Sequence, residues 1–248
     1  MLAIIGGSGL TQLACLEIAR REVVRTPYGE PSGTLTYGRI GAQEVVFLAR
    51  HGHGHTIPPH RVNYRANLWA LVKVAGAQGI VSVASVGGIR ADLFPGALVV
   101  PHQIVDYTWG RPHTYCDGSE GQVVHVDFTA PYDRGLRERL LCAADATGIE
   151  VFGTAVYAAT QGPRLETAAE IDRLEKDGCD IVGMTGMPEA ALARELETPY
   201  AAICAVANWA AGRGDSASRI AFDRIEGVLQ EALGRVRRVI EHLCATPT

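Results

Sequence analysis

The amino-acid sequence predicts an α/β fold with a single domain, in which helices flank a central mixed β-sheet. Short apolar runs alternate along the chain with amphipathic helical patterns. Most of these runs lack an alternation of polar and apolar residues, which is typical of strands covered by helices on both faces. The chain has 248 residues and no internal repeat, low-complexity segment or linker, so residues 1–248 are expected to form one domain.

The apolar runs predict six strands. The first run begins at Leu2 and leads directly into glycines, and the last run ends at Ala207. In chain order, the predicted strands cover residues 2–5, 44–49, 80–84, 153–160, 180–183 and 200–207.

Periodic apolar patterns predict five helices. The last pattern is the clearest, because Ala232, Val236, Val239 and Leu243 recur at spacings of three and four and form one apolar face. The helices are predicted at residues 63–73, 133–147, 166–176, 188–196 and 220–243. Residues 106–132 are polar and glycine-containing, and such a long connection is usually functional or part of an interface.

Composition excludes several classes of protein. The net charge is -4 and no basic cluster exceeds a pair, so nucleic acid is not an expected partner. No apolar run is long enough to cross a membrane, and the N-terminus has no signal-peptide pattern. The cysteines contain no C-x-x-C pair and are predicted to be buried free thiols of a cytoplasmic protein. They are Cys15, Cys116, Cys142, Cys179, Cys204 and Cys244.

Polar groups follow each predicted strand. In open α/β sheets, ligands bind beyond the carboxyl ends of the strands, so these groups are expected to converge on one rim. The segments are Gly6-Gly7-Ser8-Gly9, Arg50-His51-Gly52-His53-Gly54-His55, Ser85-Val86-Gly87-Gly88, Gln161-Gly162-Pro163-Arg164-Leu165-Glu166, Met184-Thr185-Gly186-Met187-Pro188 and Asn208-Trp209. This composition favours a polar ligand.

The first two segments suit a small anion. The glycines around Ser8 expose backbone N–H groups, although the same residues also fit a tight strand-to-helix turn. They lack the G-x-G-x-x-G spacing and the Walker lysine, which disfavours a dinucleotide or a nucleoside triphosphate. Arg50 supplies a planar fork that matches phosphate oxygens, whereas a lone arginine is more often part of a surface ion pair.

The histidine cluster raises the question of a zinc site. On an extended segment, His51 and His55 would share one side while His53 points away. No cysteine or carboxylate stands near them, or near His60, in a familiar metal-binding pattern. Contact with a polar anion is favoured, and no metal is expected.

The motifs together resemble one enzyme family. The chain is similar to the trimeric purine nucleoside and methylthioadenosine phosphorylases over nearly its whole length, with the motifs in the same order. The motifs are Gly6-Gly7-Ser8-Gly9-Leu10, Arg50-His51-Gly52, Asn63-Tyr64-Arg65-Ala66-Asn67, Gln161-Gly162-Pro163-Arg164 and Met184-Thr185-Gly186-Met187-Pro188-Glu189.

This resemblance implies phosphorolysis, in which inorganic phosphate attacks the anomeric carbon of the ribose and the purine leaves. Phosphate is then a co-substrate, and no cofactor is needed. The resemblance implies that Met184 lies under the ribose, and that a homotrimer forms in which His125 reaches the substrate of a neighbouring subunit. The implied phosphate ligands are Ser8, Arg50, His51, the backbone at Ala84 and Ser85, and Thr185.

Two positions indicate which base is used. Methylthioadenosine phosphorylases carry aspartates where this chain has Asn208 and Ala210. An asparagine donates to a 6-oxo group and accepts from a protonated N7, and Glu166 matches a glutamate that accepts N1–H in 6-oxopurine phosphorylases. These features predict hypoxanthine or guanine as the leaving base, although Asn208 would also fit a turn and Glu166 a first helical turn. Leu165 replaces the phenylalanine that often lies against the purine.

The 5' end of the substrate is predicted to be apolar. Purine nucleoside phosphorylases usually carry a histidine near the start of the last helix, but this chain has Ala221, Phe222 and Ile225. These side chains suit a methylthio group, although they would also fit a helix core. We therefore expect 5'-methylthioinosine as the substrate. The alternatives are an inosine/guanosine phosphorylase, a methylthioadenosine phosphorylase, an N-glycoside hydrolase and a nucleoside-binding module without turnover.

Overall fold

The computed structural model describes residues 1–10, 13–118 and 123–246. The described part contains ten β-strands and five α-helices around one mixed sheet. The strands are β1 (Leu2–Gly6), β2 (Glu17–Glu22), β3 (Leu35–Ile40), β4 (Gln43–Ala49), β5 (Ile80–Gly88), β6 (Leu98–Val99), β7 (Gln103–Asp106), β8 (Val156–Ala159), β9 (Ile181–Gly183) and β10 (Tyr200–Trp209). The helices are α1 (Tyr64–Trp69), α2 (Arg134–Ala146), α3 (Ala168–Lys176), α4 (Gly186–Glu195) and α5 (Phe222–Ala245).

The sheet consists of two groups of strands that share β5. Strands β1, β4 and β10 run parallel to β5, whereas β7, β8 and β9 run in the opposite direction. On one edge of β5, β1 pairs at Ile80–Ser82 and β9 pairs at Gly87–Gly88. Residues 83–86 therefore have no described strand partner on that edge, and the carboxyl ends of β1 and β9 face each other across this gap.

Helices cover both faces of the sheet. One core contains residues of α1 and α4, such as Leu68 and Leu192, and the other contains residues of α2 and α5, such as Leu140 and Val236. A smaller core holds Ile171 and further residues of α3. This arrangement confirms the predicted α/β architecture with a central mixed sheet.

All six predicted strands are present, with shifted ends, and four further strands were not predicted. β2 is exposed along nearly its whole length, so it carries no apolar signal. The apolar run of β3 is interrupted by Gly38 and Arg39, β6 has only two residues, and β7 is an edge strand whose side chains are partly exposed. Edge and short strands escape pattern recognition because backbone pairing, rather than a buried face, defines them.

The predicted helices are also present. The pattern at residues 63–73 forms α1 and then a π-helical turn, Ala70–Val74. Asp133 caps α2 by accepting from the Leu136 N–H, and Thr167 and Glu170 form a capping box on α3. Capping therefore sets the starts of α2 and α3 one or two residues after the positions that periodicity predicted.

The remaining predictions concern exposure and connections. No helix in the described ranges is long and apolar enough to span a bilayer. All six cysteines are free. The prediction that they are buried holds for Cys179, Cys204 and Cys244, whereas Cys15 and Cys116 are only partly buried and Cys142 is exposed. The connection at residues 106–132 is mostly irregular, as predicted, and its residues 119–122 lie outside the described residues.

Candidate active site

A cavity of about 760 Å³ opens at the gap between β1 and β9. All of the predicted site residues line it except Ala221 and His125. In chain order these lining residues are Ser8, Arg50, His51, Ala84, Ser85, Leu165, Glu166, Met184, Thr185, Asn208, Ala210, Phe222 and Ile225. The rim thus forms at the ends of two strand groups that run in opposite directions, and not at the ends of uniformly parallel strands.

The turn after β1 brings the backbone close to Arg50. A side chain on Gly7 would come within 2.8 Å of Arg50 Nη1, so only glycine fits at this position. The Leu10 N–H donates to the Gly7 carbonyl at 3.0 Å and closes the turn around Ser8. The next described element is β2, so the strand-to-helix alternative for this motif is wrong.

Arg50 is completely buried, and most of its hydrogen-bonding capacity is used by the protein. Nε and Nη2 pair with the Glu189 carboxylate, Nη2 donates to Ser82 Oγ at 2.6 Å, and Nη1 donates to the Val83 carbonyl at 3.1 Å. Burial disfavours the charged form, but the adjacent Glu189 outweighs it and raises the pKa of Arg50. A guanidinium has five N–H groups, and four of those of Arg50 donate to the described protein acceptors. One Nη1 hydrogen is left for a ligand, so Arg50 cannot bind a phosphate through two parallel hydrogen bonds.

Glu189 is the partner that fixes Arg50. Its side chain is fully buried, and Oε2 also accepts from Ser82 Oγ at 3.0 Å and from the Tyr200 hydroxyl at 2.9 Å. The sequence analysis included Glu189 in a motif but gave it no role. An acid in a stretch that is otherwise apolar was the available signal, because carboxylates are rarely buried without a cation.

His51 has a defined tautomer. Its Nδ1 lies 2.8 Å from the Ile57 carbonyl oxygen, which only accepts, so Nδ1 carries the proton. Burial and the charge of Arg50 lower the pKa of His51 to about 4. The ring is therefore neutral at neutral pH, and Nε2 is left as a hydrogen-bond acceptor.

His55 also lines the cavity, with its ring centroid 4.5 Å from that of His51, whereas His53 does not line it. The predicted grouping is observed, but its cause is different. His51 and His55 had been predicted to share one side of an extended segment. The segment is not extended, because Gly52, Gly54 and His55 all have positive φ angles and turn the chain. No group of three or more metal-ligating side chains occurs in the part of the chain that the structure describes.

Thr185 lies across the gap from Ser85. It is buried at the start of α4, and its N–H lies 3.4 Å from the hydroxyl oxygen of Tyr157. The side chain of Tyr157 fills the space where a side chain on Gly183 would stand, and Ile104 together with the Tyr157 ring fills that space at Gly186. The two glycines therefore allow the β9–α4 turn to approach β8 closely.

Asn208 and Glu166, the residues predicted to contact the base, both line the cavity. The register of β10 against β5 shifts between Val206 and Asn208, and a bulge of this kind re-aims the following side chain. One N–H of the Asn208 amide donates to the Trp209 carbonyl at 2.6 Å, and among the described residues the other N–H and the oxygen have no partner. Glu166 Oε1 accepts from the Thr160 hydroxyl at 2.6 Å.

The opposite end of the cavity is apolar. Ile220, Phe222, Ile225 and Leu229 line it at the start of α5. Phe222 is 67% exposed, so the alternative that it is a core residue is wrong. Ala221 stands at the N-cap of α5 without lining the cavity, and His125 is exposed and outside it.

Arg111 was not predicted from the sequence. This buried residue of the 106–132 connection donates to two loops next to the cavity and to helix α1. Its acceptors are the carbonyls of Met184 (2.8 Å), Met187 (2.7 Å), Gln161 (2.8 Å) and Thr160 (3.2 Å), the side-chain oxygen of Gln161 (3.2 Å) and the hydroxyl of Tyr64 (3.2 Å). Its sequence neighbourhood is irregular and gave no signal.

Comparison with known proteins places the chain among phosphorylases. The family model described as "Phosphorylase superfamily" matches residues 1–245. The probable S-methyl-5'-thioinosine phosphorylase of Pseudomonas syringae pv. tomato is 54% identical over 238 residues, covering 96% of each chain. The 6-oxopurine nucleoside phosphorylase of Pyrococcus furiosus is 43% identical, covering 99% of this chain and 92% of its own. The structure of Schistosoma mansoni methylthioadenosine phosphorylase with adenine superposes with a TM-score of 0.92 at 32% identity, covering 98% of this chain and 90% of that one.

Proposed function

The chain belongs to the phosphorylase superfamily, and from this membership we propose that it is a pentosyltransferase that splits 5'-methylthioinosine with inorganic phosphate. The products are hypoxanthine and 5-methylthioribose 1-phosphate. The main support for the proposal is that a single cavity contains side chains suited to phosphate, to a purine base and to an apolar 5' group. These are Ser8, Arg50, His51 and Thr185 for phosphate, Glu166 and Asn208 for the base, and Phe222 and Ile225 for the 5' group. Relatives named for S-methyl-5'-thioinosine and for 6-oxopurine nucleosides support the same assignment.

In this proposal, phosphate occupies the gap between β1 and β9. Ser8 and Thr185 donate hydroxyl hydrogens, Arg50 donates its remaining Nη1 hydrogen, and the backbone at Ala84 and Ser85 lies on the unpaired edge of β5. The neutral His51 accepts through Nε2, so it pairs with the one hydroxyl of a monohydrogen phosphate. This arrangement holds the dianion with one oxygen free to attack.

The reaction requires a phosphate and a ribose held in line. As the bond from C1' to the purine breaks, positive charge develops on the sugar, and the bound dianion stabilises that charge and then forms the new C1'–O bond. Met184 covers the ribose. The leaving purine takes a proton at N7 from solvent, and the phosphate loses its own proton to solvent as the C1'–O bond forms, so protons balance. Asn208 Oδ1 accepts the N7–H while its free amide N–H donates to O6.

The base edge favours a 6-oxopurine over a 6-aminopurine. Glu166 accepts N1–H, which hypoxanthine has and adenine lacks. Asn208 and Ala210 replace the pair of aspartates that the methylthioadenosine phosphorylases carry, and Leu165 gives apolar contact to the ring. A buried edge built for one hydrogen-bond pattern leaves polar groups unpaired with the other, which costs a factor of about 10⁴ in kcat/KM.

The 5' end distinguishes methylthioinosine from inosine. Phe222 and Ile225 offer apolar surface at the mouth of the cavity, next to Ala221 at the helix cap. Burial of a methylthio group against them contributes about 1–2 kcal/mol that a hydroxyl does not gain. A general 6-oxopurine nucleoside phosphorylase is the second candidate, favoured by the Pyrococcus furiosus relative.

A substrate panel tests the proposal. With phosphate, we expect kcat/KM to be highest for methylthioinosine, about tenfold lower for inosine and about 10⁴-fold lower for methylthioadenosine. Without phosphate, we expect no hypoxanthine release. Hypoxanthine release at the same rate without phosphate would identify a hydrolase. A preference for methylthioadenosine would contradict the proposed 6-oxopurine specificity, and the absence of turnover with every substrate would identify a binding module.

The assembly and location are also proposals. We propose that residues 1–248 form one nucleoside phosphorylase domain and that three copies assemble, with His125 of one copy reaching the 5' end of a neighbour's substrate. The exposed Val123, Val124 and Val126 around His125 support an interface there. Free cysteines support a reducing location, the cytoplasm, which fractionation of the native host's cells would test.

A further inference from the structure

Thr160 stands behind the base edge of the cavity. It follows β8 directly and lines a neighbouring cavity of about 340 Å³, but it does not line the nucleoside cavity itself. Glu166 lines both cavities and separates them. Thr160 therefore contacts the side of the Glu166 carboxylate that faces away from the nucleoside.

The hydroxyl of Thr160 has one strong acceptor. It donates to Glu166 Oε1 at 2.6 Å, whereas its other acceptor, the Gly183 carbonyl, is 3.3 Å away. A hydroxyl has a single hydrogen, and the shorter bond to a carboxylate is the stronger one. Throughout the described ranges, Thr160 is the only hydrogen-bond donor to Glu166, so Oε2 is left without a protein donor.

Thr160 itself is held at its backbone. Its N–H donates to the Gly183 carbonyl at 2.8 Å, and its carbonyl accepts from Arg111 Nη2 at 3.2 Å. The hydroxyl thus projects from a peptide that is fixed on both sides. A rigid donor behind a carboxylate fixes the rotation of that carboxylate, which is the requirement for a group that reads a base edge.

We propose that Thr160 is a specificity-determining residue that holds Glu166 as an acceptor for the N1–H of a 6-oxopurine. The inference rests on the proposed base-reading role of Glu166. Thr160 does not touch the nucleoside, so it acts as a positioning residue through Glu166. Its hydroxyl keeps Oε1 occupied and presents Oε2 to the purine.

The test is Thr160→Val, which keeps the shape of the side chain and removes the hydroxyl, with Thr160→Ser as the matched control. We expect Thr160→Val to lower the ratio of kcat/KM for methylthioinosine to that for methylthioadenosine by about tenfold, the effect of losing one hydrogen bond to a charged group. Thr160→Ser keeps the hydroxyl and is expected to keep the wild-type ratio. If Thr160→Val does not fold, as judged by thermal melting, Thr160→Ala carries the same expectation.

A double-mutant cycle with Glu166→Ala distinguishes an effect of Thr160 on the position of Glu166 from a general loss of activity. If Thr160 acts through Glu166, adding Thr160→Val to Glu166→Ala leaves the substrate ratio unchanged. An equal fall for both substrates in Thr160→Val, an unchanged ratio, or additive effects in the double variant would overturn the role of Thr160. A wild-type enzyme with no preference for methylthioinosine would instead overturn the proposed base preference itself.

Discussion

The Arg50–Glu189 ion pair shows how one residue can serve the fold and the ligand together. Both side chains are almost completely removed from solvent. Transferring two charges from water is costly, and the pair is tolerated because Ser82, Val83 and Tyr200 satisfy most of its other hydrogen-bonding groups and leave one Nη1 hydrogen of Arg50 for a ligand. Loss of a residue that only bound phosphate would affect phosphate binding far more than folding. The buried ion pair gives Arg50 a structural role as well.

We expect Arg50→Ala to destabilise the protein by about 3–5 kcal/mol, because it leaves the Glu189 carboxylate buried without its cation. The free energy of unfolding in urea measures this loss. Ser8→Ala is the control, since it removes a proposed phosphate donor from a half-buried turn, and it is expected to raise the phosphate KM at nearly wild-type stability. An Arg50→Ala protein as stable as Ser8→Ala would contradict the assignment of a structural role to Arg50.

At the scale of elements, the 106–132 connection ties together loops that lie far apart in the chain. Arg111 donates to the loop after β8, through Thr160 and Gln161, and to the turn after β9, through Met184 and Met187. The first loop leads to the base edge and the second contains Thr185. The spacing of the proposed base and phosphate sites therefore depends on one guanidinium in an irregular segment.

We expect Arg111→Lys to loosen both loops at once, because three ammonium hydrogens cannot satisfy six acceptors and each buried carbonyl left unpaired costs about 1–3 kcal/mol. Amide hydrogen exchange should rise at residues 160–165 and 184–187 together, and KM should rise for both nucleoside and phosphate. Arg164→Lys is the control, because Arg164 is exposed and its ion pair with Glu170 lies at the surface. Faster exchange in only one of the two loops would refute this coupling.

At the scale of the whole molecule, the cavity exists because two opposed groups of strands meet on β5. β1 and β9 end at the same gap from opposite directions, so the polar residues that follow them face each other. The apolar end near Phe222 remains open to solvent in a single chain. A neighbouring copy would complete the enclosure that exclusion of water from the sugar requires.

Subunit complementation tests the proposed assembly. We expect a trimer by sedimentation, and weak activity from His125→Ala and from Glu166→Ala alone. Trimers refolded from a mixture of the two variants contain sites with Glu166 from one subunit and His125 from its neighbour, and such sites should recover activity. A monomeric mass would contradict the proposed assembly. Mixed trimers no more active than either single variant would contradict the proposed role of His125 in the neighbouring subunit's site.

Much of the site was predictable from sequence, and two predicted residues were not brought into the cavity. Ser8, Thr185 and Asn208 follow apolar runs, so the rule that ligands bind beyond strand ends predicted that they share one rim, and they line the same cavity. His125 was implied by resemblance to trimeric enzymes, and Ala221 was predicted with Phe222 and Ile225 as part of an apolar pocket at the start of the last helix. In the single chain, neither His125 nor Ala221 lines the cavity. Strand β2 was missed because its side chains are exposed, and only its pairing with β3 defines it.

The sequence by itself determined the α/β class, the main helices and strands, and the chemical groups that end each strand. These features are local, since apolar periodicity and the residues after a strand can be read within a few positions. Only the tertiary structure decided the partners of Arg50 and Thr160 and the opposed strand groups that form the cavity. Arg50 and Glu189 are 139 positions apart, and no local pattern encodes such a pairing. It arises because a buried charge is stable only where the fold supplies its counter-charge.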